Sequence, residues 1–410
     1  MTQYGGYLWG PALALSVFIA CAEDATRGPR SGTGSPQSGG PLTASASCGA
    51  VTQVCPGESI QAAVIASPTG TTFTIATGTH RRQSVIPKSG MTFVGEPGAV
   101  LDGELITPYA FNGRSKAAGV KIRGLKITRY APPHQDGAIL GQDGKWKTQN
   151  WVVEDCEISY NQLAGGGGMG VKLGNGMIVR NNHLHHNDQY GVGGAAADVL
   201  VEGNEISFNN WRNAHPRHVA GGTKFVATTG LVVRDNYVHD NQGSGIWTDI
   251  GNQGALIEGN RVEKNQRQGI MHEIGHEIVI RNNVVRNNGF DPDLGNWLYG
   301  AGILIAHSDG AEVYGNLVED NWNGIAGIQQ NRGDSQLRDL WVHDNTIRMK
   351  RGFTGVAGGT TRFDPYNANN RFDRNTYYLG GAGKYFKWKK SRTEQEWRSL
   401  GMDRNGTFLR

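Results

Sequence analysis

One short phrase returns along most of this chain and restricts what it can fold into more than anything else in it. The phrase reads Val/Ile-x-x-Asn-x-Val/Ile-x-x-Asn, followed some residues later by Gly-Ile or Gly-Val. Asn182, Asn204, Asn236, Asn260, Asn283, Asn316 and Asn345 hold its first Asn, with Cys156 in that place in an earlier copy. The second recurs at Asn161, Asn187, Asn209, Asn241, Asn265, Asn288 and Asn321. Successive gaps of 26, 22, 32, 24, 23, 33 and 29 residues give a base period near 22 to 24, plus insertions. A period of this size predicts a solenoid whose units bury their apolar faces only against each other.

The unit is built from strands. β-Branched runs such as Leu231-Val232-Val233 and Ile278-Val279-Ile280 are separated by Gly and Asn, which are strand and turn signals. Three short strands with their turns fill a coil of this length, giving an all-β parallel β-helix of roughly ten coils. Asn suits the corners, since it tolerates the left-handed conformation and its amide can pair with the copy above. With 61 Gly the chain is turn-rich, yet it is too periodic for a disordered segment.

On these residues the chain resembles the right-handed parallel β-helix superfamily that includes pectin lyase-like proteins, from about Cys55 to Arg410. The run Cys55-Pro-Gly-Glu-Ser-Ile-Gln-Ala-Ala-Val64 resembles the amphipathic helix that caps the first coil in such proteins. A cap is needed because a bare first coil exposes strand edges and core. Arg392-Thr-Glu-Gln-Glu-Trp-Arg-Ser-Leu400 has helical spacing, with Trp397 and Leu400 on one face, and is expected to close the last coil. The organisation expected is a signal over 1–21, a Gly/Ser-rich linker over 22–54, the β-helix over 55–380 and a C-terminal cap over 381–410.

The apolar stretch ending Ser16-Val-Phe-Ile-Ala-Cys21 reads as a secretory signal with a lipoprotein box, although its n-region has no Lys or Arg and Phe18 stands where Leu is usual. An exported protein is expected, secreted or held at an outer membrane or cell surface by lipid on Cys21, with no other membrane attachment. Cys48 and Cys55 can close a small loop in an oxidising compartment, and Cys156 reads as an inert ladder residue. No cysteine pattern suggests a metal cluster. A net charge of +4 with scattered basic residues argues against nucleic acid as a partner. A monomer is expected.

Fold alone does not give chemistry here, so the site must come from residues that stack. Aligned on the Gly-Ile step, the copies read Gly222-Thr-Lys224-Phe-Val226, Gly245-Ile-Trp247-Thr-Asp249, Gly269-Ile-Met271-His-Glu273, Gly302-Ile-Leu304-Ile-Ala306 and Gly324-Ile-Ala326-Gly-Ile328. Side chains alternate faces along a strand, so with the Ile inward, Lys224, Trp247, Asp249 and Glu273 point outward. Asp249 and Glu273 then share a column on consecutive coils, about 4.8 Å apart at the backbone. Like charges directly opposite destabilise a sheet, so the arrangement points to a purpose. The spacing is near the ~5 to 5.5 Å between the two carboxyls of a retaining glycosidase, and mutual repulsion would raise one pKa, as an acid at neutral pH requires. Trp247 suits a sugar-stacking platform. Lys224, diagonal to Asp249, can hold that group ionised or bind a substrate carboxylate. Insertions at 210–220 (Trp211, Arg212, His215, Arg217, His218) and 290–300 (Asp291, Asp293, Trp297, Tyr299) are placed to wall a cleft. His307 and Asp309 lie beside it.

Gly245-Ile-Trp-Thr-Asp249, followed a coil later by Glu273 after another Gly-Ile step, resembles the Asp/Glu pair of β-helix β-xylosidases. The resemblance covers about thirty residues and implies Asp249 as nucleophile and Glu273 as acid/base, without implying xylose as the sugar. The expected function is therefore retaining glycoside hydrolysis of a polysaccharide or oligosaccharide, with Trp247, Lys224, His307 and Trp297 as substrate contacts and no metal or other cofactor. Two rivals stand beside it. A lyase or epimerase would use Lys224 as base, with Ca²⁺ on Asp249 and Glu273. An adhesin or glycan-binding solenoid would need no catalysis. His272-Glu-Ile-Gly-His276 spells the zinc-protease H-E-x-x-H, but that motif works on a helix, whereas the repeat phase places a strand here. His183, His185, His186, His239 and His343 fall in the Asn-flanked turn phase and read as structural. Lys172 shares the Lys224 column but is expected to lack an acidic neighbour.

Overall fold

The computed structural model describes residues 52–410 apart from 144–145, 165, 213–219, 292–296 and 360–362. The expected signal, most of the linker, Cys21 and Cys48 lie outside the described residues, as do His215, Arg217, His218 and Asp293. Everything described belongs to one compact unit, Ser47–Arg410.

Three long sheets of thirteen, thirteen and twelve strands run the length of the molecule. We label them A (from Gln53–Val54), B (from Gly78–Arg81) and C (from Phe111–Asn112). The chain visits A, B and C coil after coil and pairs strands in parallel with their counterparts one coil away, except that the last strand of C, Lys390–Arg392, runs antiparallel to Phe386–Trp388. This is a parallel β-helix with more coils than the Asn phrase announces. The early coils lack the phrase and instead stack Phe73, Phe93 and Phe111 inside, with ring centroids 5.4 and 5.0 Å apart. Helix α1 (Ile60–Ala66) covers the first coil, with Ser59 Oγ accepting from the Ala62 N–H and with Ile60 and Val64 buried. Helix α2 (Glu394–Ser399) closes the other end through a capping box between Thr393 and Glu396. Trp397 is buried there, whereas Leu400 follows the helix and is 38% exposed, off the face expected for it.

Both Asn positions form ladders through the corners from A to B and from B to C. Asn182 Nδ2 donates to Asn204 Oδ1 at 3.0 Å, Asn204 to Asn236 at 2.9 Å and Asn236 to Asn260 at 2.9 Å. The series runs on to Asn375, which the phrase does not reach. The left-handed residue is not the ladder Asn but the one before it. Asp155, Asn181, Asp235 and Asn282 take φ between 54° and 56°, and Gly203, Gly259 and Gly315 take 63° to 65°. The ladder Asn is thus held in register by its side chain and its predecessor makes the bend. Cys156 occupies a rung as expected, its N–H donating to Asn182 Oδ1 and its thiol pushed up to about 12 by burial. Cys55 is disulfide-bonded.

Candidate active site

The site is built on five consecutive strands of sheet C: β1 (Thr223–Val226), β2 (Ile246–Asp249), β3 (Ile270–Glu273), β4 (Ala301–Ala306) and β5 (Asn323–Gln329). Ile246, Ile270, Ile303 and Ile325 stack in the central core. The alternate residues Trp247, Met271, Leu304 and Ala326 belong to a separate cluster on the outer face. Register places Asp249 opposite Glu273 and Val226 opposite Asp249, which sets Lys224 one coil back and diagonal to the carboxylate. The Gly-Ile alignment therefore holds residue for residue.

Lys224 Nζ lies 2.8 Å from Asp249 Oδ2 and 3.7 Å above the centroid of the Trp247 ring. All three side chains are nearly buried, and Asp249 Oδ1 and Trp247 Nε1 are buried with no hydrogen-bond partner. The Trp247 face toward Lys224 is thus occupied by an ammonium, and the ring is only 4% exposed. That corrects the expectation of an open stacking platform: the ring positions the lysine. Glu273 has a different environment. Among the described residues its ion pair is with Arg332, at 3.6 Å and half-exposed. Burial first, and then the negative charge of Asp249, push the Glu273 carboxyl up to about 7, against the weaker opposing pull of Arg332 and Lys224.

A cavity of about 380 Å³ opens beside Asp249 toward earlier coils, lined by Lys224, Tyr190, Met169, Lys172, Gln142 and Gln135 among others. Lys172 is not the solvated residue expected: its Nζ bonds Asp136 Oδ1 at 2.7 Å, and Asp136 Oδ2 accepts from Tyr109 Oη. Burial, and then the charge on Asp249, raise the Tyr190 phenol well above its usual range.

His272 turns inward as expected, with Thr248 Oγ1 2.8 Å from its Nδ1, and burial lowers it to about 3. His276 sits on the outside, paired with Asp309 at 2.6 Å. The two histidines of H-E-x-x-H therefore face different environments, and among the described residues no group of three or more His, Cys, Asp or Glu is arranged to hold a metal. The same pairing takes Asp309 away from the carboxylates. His307 is buried just past β4; its Nδ1 accepts from the Gln330 N–H, its Nε2 has no partner, and burial lowers it to about 4. Of the insertions, Trp297 and Tyr299 pack with Leu298 against the outer-face cluster. Trp211 instead meets Tyr160 edge-on at the B–C corner. The turn-phase histidines are partnered: His239 reaches Glu205 and Asp240, and His343 reaches Glu312 and Asp344.

Several groups at the site lay outside the sequence reading. Arg332 and Gln330 stand in a loop with no repeat phase, so nothing in the spacing marks them. Tyr190 precedes the Gly191-Val192 step as Met169 precedes Gly170-Val171, and that shared offset was the available signal.

No curated protein matches the sequence. Among solved structures, the A-module of the mannuronan C-5 epimerase AlgE6 of Azotobacter vinelandii is similar at 15% identity and a TM-score of 0.57, covering 86% of this chain and 94% of that one. A mannuronic acid specific polysaccharide family 6 lyase from human gut microbiota is similar at 14% identity and a TM-score of 0.55, covering 78% and 77%. At these identities the likeness is one of fold. The family profile described as right handed beta helix region matches residues 116–318 and 220–347, more than half of the chain. The chain belongs to the right-handed β-helix family.

Proposed function

We propose that this protein is an exported carbohydrate-active enzyme that hydrolyses glycosidic bonds with retention, Asp249 being the nucleophile and Glu273 the acid/base. The observation that carries this reading is a pair of carboxylates in register with divided surroundings. One is ion-paired to Lys224 at 2.8 Å; the other is left to a half-exposed arginine at 3.6 Å. Pairs of titratable groups driven apart by their environments mark acid and base assignments. Asp249 attacks the anomeric carbon while Lys224 stays paired with it. The bond to the leaving oxygen breaks as Glu273 gives that oxygen its proton. Glu273, now a carboxylate, takes a proton from water, whose oxygen attacks the anomeric carbon and frees Asp249. Trp247 holds Lys224 in place, and Trp297 and His307 contribute from the walls. The disulfide at Cys55 supports an oxidising compartment and hence export.

The lyase or epimerase reading is less well supported. Lys224 meets a carboxylate and an aromatic face, both of which are contacts of the ammonium form, so it is poorly placed to accept a proton. An ammonium already on Asp249 also competes with Ca²⁺ there. The neighbours' activities on mannuronate polymers are nonetheless a reason to include such polymers in the test.

Wild type, Glu273→Gln and Asp249→Asn are compared on neutral and uronate-containing polysaccharides, following reducing ends and ultraviolet absorbance with and without a calcium chelator. Reducing ends without absorbance, lost in both variants, are expected. Absorbance abolished by chelator would transfer the reaction to a lyase; silence in both channels would favour an epimerase or a binding solenoid.

A further inference from the structure

Among the described residues, the outer face of sheet C is open on one side of the carboxylates and covered on the other. Toward earlier coils the cavity leads from Asp249 past Lys224 to Lys172 and Gln142. Toward later coils the next outward residues, Leu304 and Ala306 on β4 and Ala326 and Ile328 on β5, are at most 1% exposed. They face away from the solenoid core, because they cluster apart from Ile303, Ile305 and Ile325. Their cover includes Trp297, Leu298 and Tyr299, with Leu298 itself 2% exposed.

Polar contacts tie this segment down at the coils that follow Glu273. Tyr299 Oη is 3.3 Å from Gln330 Oε1 in the loop after β5, and the Tyr299 carbonyl accepts from Asn323 Nδ2 at 2.7 Å. The Trp297 ring lies so close to Gly359 that a Cβ there would come within 3.1 Å of it. The loop that supplies Gln330 also supplies Arg332, which reaches Glu273. Residues 297–299 thus form a strap joined to the opposite wall by a hydrogen bond. Burying Leu304 and Ile328 alone would need only the apolar side chains; the Tyr299–Gln330 bond adds a crossbar just past the catalytic pair.

We infer that this strap makes the cleft a dead end, so that the enzyme removes terminal units from a chain rather than cutting its interior. The inference rests on the glycosidase reading and deepens it. A polymer lying along sheet C can extend over Lys224 and Lys172 but not through Leu298 and Tyr299, and so one of its ends must lie at the coil of Glu273.

The test uses the polysaccharide from the panel above that wild type cleaves, as intact polymer and as oligosaccharides tagged at one end. Wild type is expected to release single units from the first time points, with little loss of polymer viscosity as reducing ends accumulate. Tyr299→Ala and Gln330→Ala should lose that pattern and yield internal fragments of mixed length. Gln330→Ala leaves the Tyr299 ring in place but unanchored, so it should show the same change in weaker form, and it serves if Tyr299→Ala does not fold. Mixed fragments and rapid viscosity loss from wild type would overturn the inference while leaving the hydrolase reading standing. Retention of single-unit release by both variants would overturn the role of the strap. Silence on the whole panel would remove the hydrolase reading and the inference with it.

Discussion

At the scale of single residues, the site stands out by breaking a rule kept elsewhere on the surface. Along sheet A one outward column reads Arg123, Glu154, Arg180, Glu202, Arg234, Glu258 and Arg281, the sign alternating at every coil. Bridges such as Arg180–Glu154 at 2.6 Å and Arg281–Glu258 at 2.7 Å follow. Asp249 and Glu273 put like charges at the same spacing, where two unit charges about 4.8 Å apart repel by roughly 3–4 kcal/mol at an effective dielectric near 20. Lys224 compensates for one; the other keeps a proton. Because the Glu273 carboxyl is raised from 4.5 to about 7, the folded state binds more protons than the unfolded chain between those values. Stability contributed by this group is therefore present at low pH and lost as pH rises toward 7 and above. Glu273→Gln should be near neutral for stability at pH 4 and stabilising by roughly 3 kcal/mol at pH 8, read from denaturant unfolding at each pH; a pH-independent difference would show that Glu273 is not the group carrying the extra proton. The alkaline limb of kcat/KM should fall near pH 7, as the acid is lost. The register of Asp249, Glu273 and Lys224 was legible because strand side chains alternate faces and every copy carries the same Gly-Ile step. The burial of Trp247 was not, because it depends on Lys224 lying on its face and on a strap from an insertion with no periodicity.

At the scale of the repeated element, the corner carries as much of the fold as the strands. Asn260 shows what each rung does. Its N–H and Nδ2 donate to Asn283 Oδ1, and Nδ2 also donates to the carbonyls of Val233 and Glu258. Its Oδ1 accepts from both the N–H and the Nδ2 of Asn236. Asn260→Ala leaves the buried Asn236 N–H without an acceptor and removes one of the two donors to Asn283 Oδ1 on the far side, which should cost about 2–4 kcal/mol. Asp235→Ala, one residue before a rung at φ 55°, removes only a tolerance for the left-handed bend. Its expected cost is about 1 kcal/mol, by analogy with strained single residues. Chemical denaturation of the two variants ranks them; equal losses would mean that the bend, not the amide ladder, fixes the corner. Sequence pattern located the rungs because Asn is visible at each one. It assigned the bend to the wrong residue because that position accepts Asp, Asn, Gly, and even Arg374, so it carries no signature of its own.

At the scale of the whole molecule, a solenoid is held together by neighbours and must be finished at its ends. The first Asn ladder ends on Asp403, a side chain that only accepts. Its Oδ1 takes the Asn375 N–H at 3.1 Å and Nδ2 at 2.8 Å. Its Oδ2 takes the Tyr377 hydroxyl at 2.7 Å and the Trp397 indole N–H at 2.9 Å. One buried carboxyl thus joins the ladder to the cap, which explains why Trp397 is fully covered while Leu400 is not. The cap was legible as a helix; its coupling to the ladder was not, since Asp403 sits outside the phrase. Asp403→Ala takes an acceptor from four buried donors, of which Asn375 Nδ2 keeps the Val342 carbonyl, and unseats α2. Because each coil contacts only its neighbours, the damage should stay local. Amide protection across sheet-B and sheet-C strands such as Thr376–Leu379 and Phe386–Trp388 should fall by several powers of ten, as expected for a loss of several kcal/mol in local opening free energy. Protection of β2 and β3, and the reaction proposed for Asp249 and Glu273, should be unchanged. If hydrogen exchange instead shows the central coils opening together with the last, the molecule unfolds as one cooperative body, and the coils of Asp249 and Glu273 depend on a cap more than a hundred residues further along the chain.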